Sequence, residues 1–234
     1  MNKIAYEYLS RDRLHHIDML ESLDRGIADV HYAGEDGVLL YNRPGWVWML
    51  STESDEAFEK MCARIKDPFL IETHQPRYLP ALRERFSLKG DRPCWQVAYL
   101  GTEAPAVLPP SGFEIKPLTP EYAPFVADAY EQEHDVSYLR DRIEAGMLGA
   151  FFNGELVGFI GTHAEGSMGI LQILDGYQHR GLGVALEAAM IASELQRGHI
   201  PYGQLFTDNQ RSRSLQKKLG MTFADGQIAW LFSA

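Results

Sequence analysis

The fold is decided by one stretch, Ile170-Leu-Gln-Ile-Leu-Asp-Gly-Tyr-Gln-His-Arg-Gly-Leu-Gly183. Its first five residues are mostly apolar, Gly176 interrupts them, and from Leu182 the apolar positions recur at helical spacing. The pattern predicts a strand, a tight loop and a helix. Because few side chains shield the main-chain N–H groups around Gly181, and these groups lie at the positive end of the helix dipole, the loop suits a diphosphate.

Length and composition favour an ordinary globular protein. The chain has 234 residues, of which 45% are hydrophobic and 23% are charged. Its formal net charge of -10 argues against a nucleic-acid partner, which would require a basic surface, and is compatible with a small amine substrate. Met1 to Asp12 contain no apolar core, and no apolar run is long enough to cross a bilayer. We therefore expect a cytoplasmic protein without a membrane partner.

Residue patterns typical of other enzyme classes are missing from the sequence. Cys62 and Cys94 are too few for a disulfide framework and do not have metal-ligand spacing. The eight histidines form no zinc pattern such as H-E-x-x-H, and no G-x-S-x-G motif occurs. We expect no metal site, and hydrolase and metalloenzyme functions are disfavoured.

The first half of the chain predicts alternating strands and helices. The elements are a helix over residues 1–26, strands at Val30–Ala33, Val38–Asn42 and Trp46–Leu50, a helix at Ser54–Ile65, a strand at Phe69–Thr73, a helix around Arg77–Phe86 and a strand at Cys94–Leu100. A segment with three prolines, residues 101–112, then reads as a linker. We predict two domains, residues 1–108 and 109–234.

The second half predicts a longer mixed α/β series. The elements are strand Phe113–Pro117, helices Pro120–Tyr130 and Ser137–Ala145, strands Leu148–Asn153 and Leu156–Thr162, the central strand, the long helix to Gln196, strand Gln204–Thr207, helix Asn209–Leu219, and a hairpin of Met221–Ala224 and Gln227–Phe232. Asn153-Gly154 and Asp225-Gly226 are two-residue hairpin turn signals.

Two motifs resemble those of the GNAT superfamily of acyl-coenzyme A dependent N-acyltransferases. Gln178-x-x-Gly181-x-Gly183 resembles the Q/R-x-x-G-x-G/A signature, and it matches neither a P-loop nor a dinucleotide fingerprint. Residues 209–221 resemble the second motif, N-x-x-S/A-x-x-L-Y-x-K-L-G-F. The resemblance covers residues 112–234 and implies a GNAT fold with a mixed sheet. The first half has the element order of a degenerate GNAT domain that lacks the glycine loop. Two such halves in one chain are similar to the tandem arrangement of the glycine N-acyltransferase-like branch.

The resemblance implies that acetyl-coenzyme A is the cofactor. In the family, a main-chain N–H of the central strand meets the thioester carbonyl, and this position corresponds to Ile173 or Leu174. We call the loop between the central strand and the long helix, residues 175–183, the phosphate loop. The remaining residues expected to bind the cofactor belong to this loop and to the second motif: Gln178, His179, Arg180, Gly181, Leu182, Gly183, Asn209 and Ser212.

The resemblance further implies acetyl transfer to the amine of a small molecule or amino acid, by direct attack on the thioester. Where many members carry a tyrosine that protonates the leaving thiolate, this chain has Gln216, which can only donate a hydrogen bond. Candidates for the general base are Glu131, Glu133 and His134 between two helices, and His163 or Glu165 after the strand that precedes the central one.

Gln216 also motivates an alternative from another functional class. In that alternative the chain is a non-catalytic coenzyme A binding sensor or interaction module. A binding module is distinguished from an enzyme by thiol release, because the module would release no thiol from acetyl-coenzyme A with any amine. In either case we expect a monomer or a homodimer.

Overall fold

The protein is described by a computed structural model over residues 2–233. Met1, where the predicted N-terminal helix starts, and Ala234 lie outside the described residues. The α-helices are α1 Lys3–Leu9, α2 Ile17–Asp24, α3 Asp55–Cys62, α4 Leu79–Phe86, α5 Ala123–Ala129, α6 Val136–Glu144, α7 Leu182–Gln196 and α8 Gln210–Lys218. The strands are β1 Ala28–Gly34, β2 Gly37–Asn42, β3 Val47–Thr52, β4 Leu70–Thr73, β5 Lys89–Ala98, β6 Phe113–Pro117, β7 Leu148–Phe152, β8 Glu155–Thr162, β9 Met168–Ile173, β10 Tyr202–Phe206 and β11 Thr222–Phe232. Within the described range, every helix is too short or too polar to span a bilayer.

Local signals in the sequence place most element boundaries. The Ser54 hydroxyl accepts the N–H of Ala57 at 3.2 Å and so caps α3. Asn153 and Gly154 take φ values of 51° and 85°, the left-handed pair of a tight hairpin turn between β7 and β8. Both elements were predicted from these residues and are confirmed.

The single N-terminal helix predicted over residues 1–26 is wrong. The chain forms α1, a short 3-10 turn at Ser10–Asp12, and α2. The break is fixed by side chains, because the Asp12 carboxylate accepts the N–H of His15 at 3.0 Å. The His16 Nδ1 atom lies 3.0 Å from the Asp12 carbonyl oxygen, so a side chain also contacts the backbone in this turn.

The chain divides into two compact units that each draw on separate segments. The first comprises Met1–Ala98, Gln204–Gln210 and Thr222–Ala234, and the second comprises Tyr99–Gly203 and Arg211–Met221. The division at residues 108 and 109 stays a prediction about independent domains. The compact units themselves are composed of other ranges, because strand β11 belongs with the strands of the first unit.

The first unit contains strands in the order β1-β2-β3-β4-β11-β5. Strands β1, β2 and β3 are antiparallel neighbours, β3 and β4 are parallel and are joined by α3, and β11 lies antiparallel between β4 and β5. One apolar cluster packs α3 against the sheet through residues such as Phe58, Met61 and Ile71. A second cluster packs α1 and α2 through Leu9, Met19 and Leu40.

The hairpin predicted at Asp225-Gly226 is wrong, because residues 222–232 form one strand. In the register with β5, Phe223 lies opposite Val97 and Gln227 lies opposite Trp95, so the intervening residues form a bulge. A strand with neighbours on both sides gains more hydrogen bonds by continuing than by turning back. Asp225 and Gly226 therefore lie in a bulge and not in a hairpin turn.

The second unit contains strands β6-β7-β8-β9, in this order, followed by the first two residues of β10, Tyr202 and Gly203. Strands β6 to β9 are antiparallel neighbours, and β9 and β10 are parallel and joined by α7. Met168 and Gly203 form the one residue pair between β9 and β10 in the described chain, so these strands separate towards their carboxyl ends. The predicted mixed α/β fold is confirmed, and each unit contains antiparallel strands followed by a parallel crossover.

A buried polar pair lies under the sheet of the first unit. The Nε2 atom of His74 is 3.0 Å from Oδ1 of Asp18, and both side chains are fully buried. The main-chain N–H of Met19 also donates to Asp18 at 2.8 Å. Burial by itself raises the pKa of Asp18, but the charge and hydrogen bond of His74 outweigh it and hold this pKa below its usual range.

Candidate functional site

The phosphate loop follows β9 and is shaped by left-handed residues. Gly176, His179 and Gly181 have φ values of 85°, 59° and 83°. A Cβ atom added at Gly176 or Gly181 would meet nothing within 4 Å, so the outer face of the loop is open. Gly181 is the N-cap of α7 and no side chain caps the helix. The N–H groups of the first turn are thus available to an anion.

The polar side chains of the loop bind the loop itself. Gln178 Nε2 donates to the Ile173 carbonyl at 3.2 Å and to Asp175 at 3.0 Å, and Gln178 Oε1 accepts from Arg211 at 3.3 Å. The Arg180 guanidinium donates to the Gly176 carbonyl at 2.7 Å. These bonds fix the loop, so that the main chain of residues 179–183 rather than a side chain is what it offers to a ligand.

The central strand distinguishes the two candidates for the thioester contact. The N–H of Leu174 donates to the Val157 carbonyl of β8 at 2.9 Å and is therefore occupied. Successive N–H groups of a strand point to opposite sides, so the N–H of Ile173 points towards β10. Since β9 and β10 have separated at that point, Ile173 is the residue whose N–H faces the opening.

The two residues predicted to contact the pantetheine arm lie at the start of α8. Asn209 is exposed, precedes the helix and donates its N–H to the Phe206 carbonyl at 3.0 Å. Ser212 lies in the first turn and is half-buried. Their assignment stays a prediction.

Gln216 is bonded to an acid that the sequence did not single out. Its Nε2 donates to Oε1 of Glu187 on α7, and both side chains are buried. Burial raises the pKa of Glu187 to about 7, although the Gln216 hydrogen bond opposes the shift. The amide of Gln216 is thus engaged inside the fold. The available signal was an acid at a helical position inside an apolar run, Val184–Met190.

Glu187→Gln is expected to change the pH dependence of stability. A carboxyl whose folded pKa is raised stabilises the fold fully below its unfolded pKa, and this contribution is lost as pH rises through the folded value near 7. The wild type should lose about 3 kcal/mol relative to the variant between pH 4.5 and pH 8. Urea unfolding of both proteins across this range measures the difference. Parallel pH profiles would show that Glu187 is ionised in the fold at neutral pH.

The base candidates between α5 and α6 mainly support their own loop. One carboxylate oxygen of Glu133 accepts the N–H groups of His134 and Asp135, each at 2.8 Å. His134 Nδ1 lies 2.8 Å from the Ala127 carbonyl oxygen. Glu131 is exposed in the turn. The charge of Glu133 also raises the pKa of the Tyr138 hydroxyl on α6.

Tyr138 connects the two sets of base candidates. Burial and the charge of Glu165, with a smaller contribution from Glu133, raise the pKa of its hydroxyl. The hydroxyl lies 3.4 Å from Nδ1 of His163. Glu165 accepts a hydrogen bond from the Ser167 hydroxyl. His163 therefore contacts Tyr138, and the charges of Glu165 and Glu133 act on the same hydroxyl. Tyr138 was not predicted as a functional residue.

Tyr130 lies near β9 in the second unit and was not predicted as a functional residue. The backbone of Ile170, the residue of β9 with φ of 48°, lowers the pKa of the Tyr130 hydroxyl, whereas burial raises it. Burial raises the pKa of Tyr130 to about 12, so this hydroxyl stays protonated at neutral pH. The register of β8 and β9 shifts at this position, which gives β9 a bulge beside the candidate bases.

One further group could hold a metal ion by its chemistry. Ligand-type atoms of Asp18, Glu72 and His74 lie within 4.8 Å of one another in the first unit. His74 Nε2 already bonds Asp18 at 3.0 Å, and Gln204 donates to Glu72 at 2.8 Å. Because His74 is bonded to Asp18 and Glu72 to Gln204, we describe these groups as a structural network.

Comparisons with known proteins agree with this geometry. Residues 147–231 match a family model described as FR47-like protein. An X-ray structure of a Drosophila protein is similar with a TM-score of 0.75 at 19% identity, covering 99% of this chain and 95% of that chain. A GCN5-related N-acetyltransferase from Kribbella flavida is similar with a TM-score of 0.62 at 15% identity, covering 94% and 95%.

A putative acetyltransferase of the GNAT family from Novosphingobium aromaticivorans has a TM-score of 0.59 at 15% identity, covering 95% of this chain and 97% of that chain. No curated protein matches the sequence. At these identities the similar structures establish the fold. The chain has the fold of the GCN5-related N-acetyltransferases. The GNAT resemblance is thereby confirmed, with residues 147–231 similar to the FR47-like model, and the glycine N-acyltransferase-like branch stays a prediction.

Proposed function

We propose that this protein is an acyl-coenzyme A dependent N-acyltransferase that transfers acetyl to the amine of a small molecule or amino acid. One observation carries the proposal. After the pair of Met168 and Gly203, β9 and β10 separate, and β9 leads into an open glycine loop and an uncapped helix N-terminus. This arrangement offers main-chain donors both to a thioester carbonyl and to a diphosphate.

Acetyl-coenzyme A, when bound, supplies the activated acyl thioester. The main chain of residues 179–183 and the first turn of α7 would hold its diphosphate, and the empty space beside Gly181 admits the close approach that this needs. The N–H of Ile173 would polarise the acyl carbonyl, which stabilises the negative charge that develops on oxygen.

The acceptor amine must lose a proton before or during its attack on the acyl carbon. Glu133, His163 and Glu165 are the groups that would take it, because His163 contacts the Tyr138 hydroxyl and the charges of both carboxylates act on that hydroxyl. The departing thiolate would have no side-chain acid from Gln216, whose amide is bonded to Glu187. A coenzyme A thiolate is a good enough leaving group to receive its proton from water.

Thiol release from acetyl-coenzyme A tests the proposal. The full chain is incubated with acetyl-coenzyme A and a pooled library of small amines and amino acids, and free thiol is measured over time. We expect at least one amine to accelerate thiol release above the rate without amine, with formation of its acetylated product. Gly181→Glu is the matched negative control, because it is expected to remove cofactor binding.

The bond between Gln216 and Glu187 favours a second candidate, a coenzyme A binding sensor or interaction module without turnover. A buried amide committed to a buried acid cannot assist a leaving group. If coenzyme A raises the melting temperature of the protein while no amine accelerates thiol release, this second candidate replaces the first.

A further inference from the structure

A buried polar pair joins α7 to α8, and two of its atoms lack partners. Gln216 Nε2 donates to Oε1 of Glu187, and the two residues are 9% and 3% exposed, respectively. Within residues 2–233, the remaining oxygens of the pair, Glu187 Oε2 and Gln216 Oε1, are buried without a hydrogen-bond partner. Buried polar atoms are nearly always hydrogen-bonded, so these two oxygens require an explanation.

A single proton accounts for both oxygens. A protonated carboxyl group has one O–H donor and one acceptor oxygen, and a primary amide offers an N–H donor and a carbonyl acceptor. The two groups can therefore pair side by side through two hydrogen bonds. With a proton on Glu187 Oε2, the second bond joins this atom to Gln216 Oε1. An ionised Glu187 has no donor for Gln216 Oε1, which then stays buried and unpaired.

The elements packed around Glu187 supply no counter-charge. Helix α7 packs against β7, β8 and β9, whose only charged residue is Glu155, exposed at the start of β8. The other charged residue of α7 is Glu194, near the end of the helix. Its carboxylate is bonded to Arg197 at 3.1 Å and to His199 at 2.9 Å, so these two cationic groups are held away from Glu187.

The basic residues of α8 do not balance a charge on Glu187 either. They are one half-buried side chain and three exposed ones: Arg213, and Arg211, Lys217 and Lys218. Burial raises the pKa of Glu187 to about 7 and the Gln216 hydrogen bond opposes the shift, while no charged group in the described part of the chain contributes. Ionisation of Glu187 would therefore place an uncompensated carboxylate between two helices, which is costly.

The pair belongs to a row of contacts between α8 and the start of α7. The contacts join Arg211 to Gln178 at 3.3 Å, Leu215 to Gly183, and Gln216 to Glu187. A Cβ atom added at Gly183 would lie 3.4 Å from Leu215 Cδ1, so the helices are close at this point. The bond of Arg211 is exposed to solvent, whereas that of Gln216 is buried, and the buried bond is expected to hold α8 more firmly.

This row of contacts connects two parts of the candidate cofactor site. Ser212, which is expected to contact the pantetheine arm, lies on α8 one turn before Gln216. The main-chain donors for the diphosphate lie on the phosphate loop and on the first turn of α7, one turn before Glu187. The contact between Glu187 and Gln216 therefore helps to set the distance between the groups that bind the two parts of the cofactor.

We propose that Glu187 is a positioning residue for coenzyme A, which as a carboxylic acid pairs with Gln216 through two hydrogen bonds and holds α8 against α7. The inference rests on the cofactor of the proposed function and applies to the enzyme and to the binding module alike. When Glu187 loses its proton to water, the second bond is lost and a buried charge separates the helices. Coenzyme A should then bind more weakly.

The affinity of the wild type for coenzyme A should fall as pH rises through 7. If only the protonated form binds, the apparent dissociation constant is the intrinsic constant divided by the protonated fraction. With a pKa near 7, the apparent constant should rise roughly tenfold between pH 6 and pH 8. In Glu187→Gln an amide replaces the acid and can pair side by side with Gln216 at every pH, so this rise should be absent.

Calorimetric titration of the full chain with coenzyme A at pH 6, 7 and 8 measures this effect. The quantity of interest is the ratio of the dissociation constants of the wild type and Glu187→Gln, because titration of the ligand itself affects both proteins and cancels. We expect the ratio to rise roughly tenfold from pH 6 to pH 8. Glu194→Gln is the matched control, since it makes the same change on the same helix at a residue that is 1% exposed. Its pH profile should match that of the wild type.

Each failure of the experiment has a separate meaning. Equal pH profiles of the wild type and Glu187→Gln would overturn this inference and leave the cofactor assignment intact. A profile of Glu194→Gln that matches Glu187→Gln would also overturn it, because the effect would then not depend on the contact with Gln216. If coenzyme A does not bind the wild type at any of these pH values, the proposed function itself is overturned together with the inference. Urea unfolding at each pH verifies that the variants are folded.

Discussion

Replacing Gly181 by glutamate is expected to abolish coenzyme A binding. The wild type, at a hundredfold excess of ligand over its dissociation constant, should gain about 2.7 kcal/mol of stability. For a chain of this size that gain corresponds to a rise in melting temperature of roughly 5 to 10 °C. In Gly181→Glu a carboxylate stands at the uncapped N-terminus of α7, where it repels the diphosphate and covers its donors, so the rise should disappear.

Gly198→Glu is the matched control for this change. Gly198 follows the other end of α7, has φ of 79°, and likewise has no atom within 4 Å of an added Cβ. The two variants therefore share the added charge and the backbone strain of a left-handed residue, about 1 to 2 kcal/mol. We expect Gly198→Glu to lose stability without losing the ligand-induced rise. A rise that survives in Gly181→Glu, or is lost in both variants, would contradict the placement of the cofactor on this loop.

Removing Asp18 is expected to cost about 3 to 5 kcal/mol, because Asp18→Ala leaves the fully buried His74 ring without its carboxylate partner. All four tryptophans belong to the first unit, so fluorescence-detected urea unfolding reports on the unit that contains the pair: Trp46, Trp48, Trp95 and Trp230. The unfolding midpoint of the variant should shift markedly to lower urea.

A double-mutant cycle distinguishes the pair from ordinary core packing. His74→Ala alone should also be costly, because it leaves the Asp18 carboxylate buried and unpaired. The double variant should lose less stability than the sum of the two single variants, since each single change already removes the interaction. Strict additivity would mean that the two side chains are not coupled in the folded protein.

The sequence predicted the fold well where a few neighbouring residues determine the backbone. Asn153-Gly154 predicted a hairpin because both residues tolerate left-handed conformations, and Ser54 predicted a helix start because its hydroxyl can cap the first turn. The loop between β9 and α7 was predicted for the same reason, since Gly176 and Gly181 provide the left-handed positions that carry the chain from strand to helix.

The sequence failed where residues far apart in the chain decide. Asp225-Gly226 carries a turn signal as clear as Asn153-Gly154, yet β5 pairs with β11 before and after this dipeptide, and β4 pairs with residues 229–232, so the strand continues. No local pattern in residues 221–232 predicts β4 and β5 as partner strands, because both lie more than a hundred residues earlier in the chain.

The same limit applies to the candidate site. Gln216 was expected to face the cofactor, but its partner Glu187 lies 29 residues away on a neighbouring helix. The cluster of His15, His16 and His74 joins segments of the chain that are almost sixty residues apart. Pairs of this kind become visible only when the packing of the elements is known.

The position of β11 has a consequence for how the protein is synthesised. The facing edges of β4 and β5 exist once residue 98 has been translated, but the strand that fills the space between them ends at Phe232. At translation rates of about 5 to 20 residues per second, those edges stay unpaired on the ribosome for roughly 7 to 27 seconds. Exposed strand edges attract other nascent chains, so the early segment of this protein should depend on chaperones until its last strand emerges.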